Sequence, residues 1–390
     1  MHGINYEMSS RSTRLQRLPM LEGFVSQIEN PAVGQRFPSN PALARHPIRH
    51  RQDGPDLANY ALAIQLGSGS FTRNPDSRAK YSQDGGQWRV STVWLNMTVI
   101  QFGPDDYALS YTGTSEKVDS ILGQDMRLTE YEGFDNTDSQ PSTLLGWGSN
   151  QIKAMDALRL TDAATPKGDR LPMPMLVDIN GNSSPQKNWV PILDDAPDGA
   201  PLWITHYSPF VVVDCGRLPK PGSSERRVNC LPHRPEMDQS DTQAFEQYSA
   251  KCLASLPSGS EHWRGSAPLV RLPWNRRLAL GTVHQRGYTK DGLFYDAYRH
   301  RFVLVDLEST SLAAYTDEFA IFSSIDDVNW FEFLTGCTLY KDREVLLSFG
   351  YNDQEPWLAI LHLRGILQWL IPVEPKWESL VDQARAGAWQ

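Results

Sequence analysis

FEFLTGCTLYKDREVLLSFGYNDQEPWLAILHL, from Phe331 to Leu363, is the stretch that decides the fold class. Leu339-Tyr340 and Val345 to Phe349 are apolar, β-prone runs on either side of the polar turn Lys341-Asp342-Arg343, a pattern that predicts a hairpin. The second run stops at Gly350-Tyr351-Asn352-Asp353, where the chain must turn while presenting a carboxylate. A third apolar run, Trp357 to Leu363, follows. Three short strands joined by turns, with an acid where one of them ends, read as one blade of an antiparallel propeller or one corner of a β-sandwich.

The same rhythm runs back through the chain. Trp88 to Phe102 and Tyr107 to Tyr111 flank the turn signal Gly103-Pro104-Asp105-Asp106 and are expected to pair. Tyr60 to Leu66, Met173 to Ile179, Leu202 to Tyr207, Phe210 to Val213, Pro268 to Leu272, Leu278 to His284 and Phe294 to Leu307 are further strand candidates. Ile152 to Leu160 reads as a strand or a short helix. Two helices are expected. One starts at Asp241 and runs to Ala254, with Phe245, Tyr248 and Cys252 on one face. The other spans Lys376 to Ala386, with Trp377, Leu380, Val381 and Ala384 inward. Roughly a dozen strand candidates exceed one simple sandwich, whereas a propeller of several blades accommodates them. No repeat of fixed period is visible, so the blades would be divergent.

This predicts an all-β chain in three parts. Residues 1–55 are polar, with a basic cluster from Arg45 to Arg51, and read as a flexible arm. Residues 56–375 form the β-propeller domain, interrupted by a Pro-, Ser- and charge-rich insertion at 216–262. Residues 376–390 form the short C-terminal helix.

Composition narrows the function. A chain of 390 residues can bury a large core. A net charge of −9 argues against general affinity for nucleic acid. No apolar run approaches the roughly 20 residues needed for a membrane-spanning helix. The opening MHGINYEMSSRSTRLQRLPM lacks the apolar centre of a signal peptide. The location is left open by this: cytoplasmic, or luminal if the N-terminus is truncated. Cys215, Cys230, Cys252 and Cys337 show no metal-type spacing. No metal site and no cofactor are expected. One disulfide can form among the first three in an oxidising compartment, and reduced thiols are the reading for a cytosolic chain. Asn96-Met97-Thr98 and Asn182-Ser183-Ser184 match the glycosylation sequon, a short pattern that arises often by chance. The chain has 12 Trp and 14 Tyr. Flat aromatic faces stack on sugar rings, although most are expected in the core.

Polar residues at strand ends are the site candidates. Asp125 and Arg127 lie two apart in a strand, so they project from one face. The plain reading is a surface ion pair. The functional one is a pair that binds sugar hydroxyls, which donate to Asp and accept from Arg. Lys187, between a turn and Trp189, is a candidate anion or hydroxyl ligand, though most such lysines are solvated. His284 ends its strand, where a lone histidine is more often structural than catalytic. In a propeller, inner strand ends gather at the axis, so Asp125, Arg127, Lys187, His284 and Asp353 can share one pocket.

Four segments carry a family resemblance. Gln124-Asp125-Met126-Arg127 looks like a Glu-Asp-Pro-Arg motif. Lys187-Asn188-Trp189-Val190-Pro191, followed by Leu202-Trp203-Ile204-Thr205-His206-Tyr207, looks like a Lys-Asn motif and its next strand. Leu278 to His284 looks like a strand whose terminal His meets phosphate. Glu332 to Asp353 looks like a last blade closed by a Tyr-Gly-x-x-Asp pattern. In this order they resemble the five-bladed propeller enzymes acting on β-mannosides, the inverting mannoside phosphorylases and related mannosyltransferases, over about residues 90 to 370. The resemblance implies a five-bladed propeller in which Asp125, Arg127 and Asp353 hold a sugar while Lys187 and His284 face phosphate. It implies as partners a sugar donor, either a nucleotide sugar or a sugar phosphate, and a glycan acceptor. The reaction expected first is glycosyl transfer from an activated, mannose-like donor. Inverting phosphorolysis or hydrolysis of β-mannosides, and non-catalytic glycan binding, are the alternatives.

The chain departs from that pattern at three places. Gln186 and Asn188 stand where the family acid lies, Tyr207 stands where an arginine is expected, and Gln124 and Met126 replace Glu and Pro. An amide carries no catalytic proton, so the catalytic group is unassigned. Asp178, Asp194 and Asp195 are the nearby acids.

Overall fold

The structure is a computed structural model. It describes the backbone of residues 13–17, 36–45, 59–68, 89–103, 106–112, 118–121, 124–131, 143–149, 155–160, 168–171, 173–176, 188–193, 201–207, 210–216, 227–233, 263–288, 294–319, 321, 332–340, 342–351 and 355–388. Side chains are described for a subset of these.

Within those residues the chain is mostly strand, and the strands form five sheets. The first strand, β1 (Thr13–Arg17), precedes the first sheet in the chain and belongs to the fifth. That sheet holds β2 (Arg36–Arg45), β3 (Asn59–Ser68), β4 (Arg89–Gly103) and β5 (Asp106–Thr112) in order, with β6 (Val118–Ile121) also against β4. The second holds β7 (Gln124–Tyr131), β8 (Thr143–Ser149), β9 (Met155–Leu160) and β10 (Gly168–Leu171). The third contains β11 (Met173–Leu176), β12 (Val190–Ile192), β13 (Leu202–Tyr207), β14 (Phe210–Asp214) and β15 (Arg227–Pro232), with β11 on the far side of β15. The fourth contains β16 (Arg264–Gly265), β17 (Val270–Leu272), β18 (Asn275–Tyr288), β19 (Phe294–Asp306) and β20 (Ser311–Tyr315). The fifth is β21 (Glu332–Tyr340), β22 (Glu344–Tyr351) and β23 (Glu355–His362), completed by β1. Helix α1 (Leu363–Trp369), β24 (Ile371–Pro372) against β20, and helix α2 (Glu378–Gly387) end the chain.

The stretch from Phe331 folds as its pattern predicts. β21 and β22 pair from Tyr340–Glu344 to Glu332–Tyr351, and β23 continues the meander. Asp342, in the turn, takes φ 58, a left-handed conformation that Asp tolerates better than most residues. β21 is buried along its whole length, because both its faces are covered. β4 and β5 pair as expected, and 155–160 is a strand. β17 and β18 turn at Pro273-Trp274, between the two expected strands Pro268 to Leu272 and Leu278 to His284. In α2, Leu380, Val381 and Ala384 are buried, and Trp377 is buried just before it.

Two expectations are corrected. Residues 1–55 are not wholly an arm, since they contain β1 and β2. β1 pairs antiparallel with β23, Thr13 opposite Leu361, so one sheet joins the two ends of the chain. β2 buries Asn40, Ala42, Leu43 and Ala44. Its apolar run is short and broken by two prolines, and its burial comes from distant partners. Likewise 216–262 is not simply a loop: β15 lies in it and pairs with β14 antiparallel and with β11 in parallel. A disulfide joins Cys215 to Cys230. The helix expected over 241–254 lies outside the described residues.

Neighbouring sheets are joined by specific contacts. Between the second and third, Trp147 Nε1 donates to Trp189 O at 2.6 Å, and Trp147, Trp189 and Trp203 pack with the disulfide. Between the third and fourth, Tyr207 N donates to Trp263 O at 2.9 Å over a core of Val190, Ile204, Val283 and Val303. Between the fourth and fifth lies a core that includes Leu280, Phe302, Leu347 and Phe349, capped by α1 and α2. Between the fifth and first, Thr335 Oγ1 donates to Pro41 O at 2.7 Å and Leu43 N to Ser348 Oγ at 3.0 Å. β2 also runs beside β7, joining the first sheet to the second.

Candidate functional site

Arg127 lies in β7 with its side chain completely buried. Its Nη2 donates to Asn188 Oδ1 at 2.9 Å. Its Nε donates to the carbonyl of Ser266. The guanidinium also lies 5.5 Å from the centre of the Phe333 ring, which places the cation against an aromatic face. Four sheets meet at this one side chain, since Asn188 leads into β12, Ser266 follows β16, and Phe333 is in β21.

His284, in β18, is the second centre and is 4% exposed. Ser266 Oγ lies 3.0 Å from its Nδ1, and Asn188 Nδ2 lies 3.4 Å from its Nε2. Tyr298 and Phe333 each present an edge-on contact to the ring, with centroids 5.1 Å away. The imidazole is thus held on both nitrogens and both sides.

Local backbone makes this possible. Asn188 takes φ 65 two residues before β12, a conformation Asn accepts more readily than most side chains. Gly265 allows the close approach, because a Cβ there would sit 2.9 Å from Asn188 O and collide with Val190. Ser266 N donates to Thr282 O at 2.9 Å, which sets Ser266 beside β18.

Tyr207 borders the same network. Burial pushes its hydroxyl well above the usual tyrosine range, and the charge of Arg127 opposes that rise. The hydroxyl has no hydrogen-bond partner among the described residues. A neutral phenol therefore occupies the position where the sequence resemblance led one to expect an arginine.

Of the five site candidates, the fold brings Arg127 and His284 into one network. Asp125 lies in β7, with its side chain outside the described residues; Lys187 and Asp353 lie outside them altogether. Lys187 directly precedes Asn188 in the chain, and Asp353 follows the end of β22 by two residues. The β7–β8 register shifts between Gln124 and Arg127.

Nothing in the local sequence pattern marks Ser266, or Phe333 and Tyr298, as partners of His284. Asn188 was legible as part of a Lys-Asn motif, but not as the link between Arg127 and His284. Among the described residues no group of His, Cys, Asp and Glu has metal-site geometry. No helix among them is long and apolar enough to cross a membrane.

No family model matches the chain, and no curated protein matches it. Among solved structures it is similar to a GDP-Man-dependent mannosyltransferase from Leishmania mexicana, at 10% identity and TM-score 0.43, over 86% of this chain and 87% of that one. It is similar to a β-1,2-mannobiose phosphorylase from Listeria innocua, at 11% identity and TM-score 0.42, over 86% and 92%. It is also similar to a mannose phosphorylase from Leishmania mexicana, at 10% identity and TM-score 0.39, over 88% and 94%.

Proposed function

We propose that the five sheets, with β1 and β2 included, are the blades of one five-bladed propeller closed by β1, and that it transfers a glycosyl group from an activated, mannose-like donor. Asp125, Arg127 and Asp353 serve the sugar, and Lys187 with His284 serves the phosphate side of the donor. The observation that carries this reading is the network itself. Arg127 and Asn188 are 61 residues apart, and Asn188 and His284 are 96 apart. They come from three of the four segments that resemble the mannoside enzymes, and Phe333 supplies the fourth.

The contacts between successive sheets support a closed ring, because each of the five touches the next and the fifth touches the first. In a propeller this puts the first strands of the blades at the axis. Transfer is preferred over phosphorolysis because Tyr207 is neutral where the resemblance expects a cation for phosphate. A phosphate attacking an anomeric carbon needs fixed positive charge.

A second reading is non-catalytic glycan binding. It is favoured by Gln186 and Asn188, which replace the family acid with amides, since an amide cannot supply the proton a leaving oxygen needs.

A thermal-shift screen of the full chain separates the readings. The probes are GDP-mannose, UDP-sugars, mannose 1-phosphate and free mannosides. A ligand that binds the folded state raises the melting temperature. A shift with a nucleotide sugar or sugar phosphate, lost in Asp353→Ala, is expected. A shift with free mannosides alone favours the binding module. No shift with any probe removes the support for a sugar site.

A further inference from the structure

β16 is two residues long, and Ser266 directly follows it. So short a strand has few ladder bonds to fix its place. Ser266 nevertheless serves two partners in the candidate site: its carbonyl accepts from Arg127, and its hydroxyl lies 3.0 Å from His284 Nδ1. Beyond the strand, Ser266 N donates to Thr282 O at 2.9 Å and Ala267 N to Thr282 Oγ1 at 3.1 Å. Before the strand, the anchor is Trp263. Its carbonyl accepts from Tyr207 N at 2.9 Å. Its side chain is buried, and the indole N–H makes no hydrogen bond among the described residues. Packing and a cation therefore hold the ring.

That cation is Arg301 of β19. Its Cζ lies 4.9 Å from the centre of the Trp263 ring and 5.2 Å from that of Tyr315. The side chain is buried, and a desolvated cation is drawn to an aromatic face more strongly than an exposed one. The edge of the guanidinium is fixed separately. Nη1 donates to Thr316 O at 2.9 Å and Nη2 to Glu318 Oε1 at 3.2 Å, while Arg299 Nη1 donates to Glu318 Oε2 at 2.9 Å. A planar fork covers the rings and spans these acceptors together, which an ammonium cannot do. The preceding residue, His300, points to the opposite face of the sheet, where its Nε2 lies 3.0 Å from Glu332 O, one residue before Phe333. Two consecutive residues of β19 thus reach towards the two sides of His284, one carrying Ser266 and the other Phe333.

We propose that Arg301 is a positioning residue, which through Trp263 fixes β16 so that the Ser266 hydroxyl meets His284 Nδ1. Its bearing on the reaction rests on the function proposed above, in which His284 serves the phosphate side of the sugar donor.

The test reads His284 directly. Full-length protein labelled with 15N-histidine is examined by long-range 15N–1H correlation at one neutral pH, and the His284 signals are identified by their loss in His284→Gln. Arg301→Lys keeps the charge but gives up the flat face and the fork. In the folded variant the His284 ring signals are expected to move. In a Ser266→Ala background the same substitution should move them less than about half as far, because residues that act through one another are not additive. Unmoved signals, or an equal movement with and without the Ser266 hydroxyl, overturn the proposal. If Arg301→Lys does not fold, Glu318→Gln loosens the same fork and is read in the same two backgrounds. The probes of the thermal-shift screen are run alongside. Unmoved His284 signals with a probe bound by the wild type sink the positioning role and leave the sugar-donor reading. Moved signals with no probe bound do the reverse.

Discussion

Thr335 Oγ1 donates a 2.7 Å hydrogen bond to the carbonyl of Pro41, 294 residues earlier in the chain. Beside it, a Cβ on Gly336 would stand 2.6 Å from Leu43 N. The first and fifth sheets therefore meet backbone to backbone, with no room for an added methyl. Thr335→Val strands a buried carbonyl, a loss of about 1–3 kcal/mol. Gly336→Ala is expected to cost more than Thr335→Val, because backbone must move. Urea unfolding of both variants checks the order, and near-wild-type stability for Gly336→Ala would contradict so close a contact.

Arg127 is expected to be a stabilising brace as well as a site residue. Arg127→Met leaves Ser266 O and Asn188 Oδ1 buried without their donor, with a loss of about 2–4 kcal/mol. Arg127→Lys should recover less than half of it, since a point charge does not reproduce a planar fork of donors. Equilibrium unfolding gives the comparison, and full recovery by Lys would show that charge alone matters at this position.

His300 makes stability pH-dependent. It is fully buried, with Nε2 3.0 Å from Glu332 O. Burial lowers its pKa from 6.5 to about 4, partly offset by that hydrogen bond. Between these values the unfolded chain binds a proton that the folded chain does not, so stability falls as pH falls. The full contribution is present above pH 6.5 and is lost progressively towards pH 4, about 3 kcal/mol in all. His233, also lowered chiefly by burial, acts in the same direction. Melting temperature against pH should slope less steeply in His300→Gln than in wild type over this window. Parallel curves would mean that other groups carry the dependence.

The Cys215–Cys230 disulfide closes a segment of 15 residues in sequence separation. Chain-entropy reasoning gives it about 3 kcal/mol. Reductant should lower the melting temperature of the wild type and leave Cys215→Ser/Cys230→Ser unaffected. Cys337 is not expected to react, because burial pushes its thiol up to about 12 and the thiolate is the reactive form. Thiol labelling of the reduced, folded protein should therefore find Cys337 last.

Legibility followed the range of the interactions. The β21–β23 meander, the β4–β5 hairpin and the apolar face of α2 could be read because alternation, turn residues and helical spacing are local. β2 could not be read that way. Its Asn40-Pro41-Ala42-Leu43 segment has little β signal, and it is a buried strand because Ser348 and Thr335 receive it. β15 was hidden in the same way by polar neighbours, since its place depends on β14 and β11. Within the candidate site, Arg127 and His284 were named from residue type and strand position, while Ser266 was not named at all.

By itself the sequence determined an all-β chain, the strands around Phe331 to Leu363, and a short set of polar residues at strand ends. Those follow from side-chain period and turn chemistry, which act over a few residues. Only the tertiary structure decided that Arg127, Asn188, Ser266 and His284 share one buried network, and which donor faces which acceptor there. That arrangement depends on bringing three sheets to one point, and on the rule that each buried polar atom must find a partner of the opposite kind.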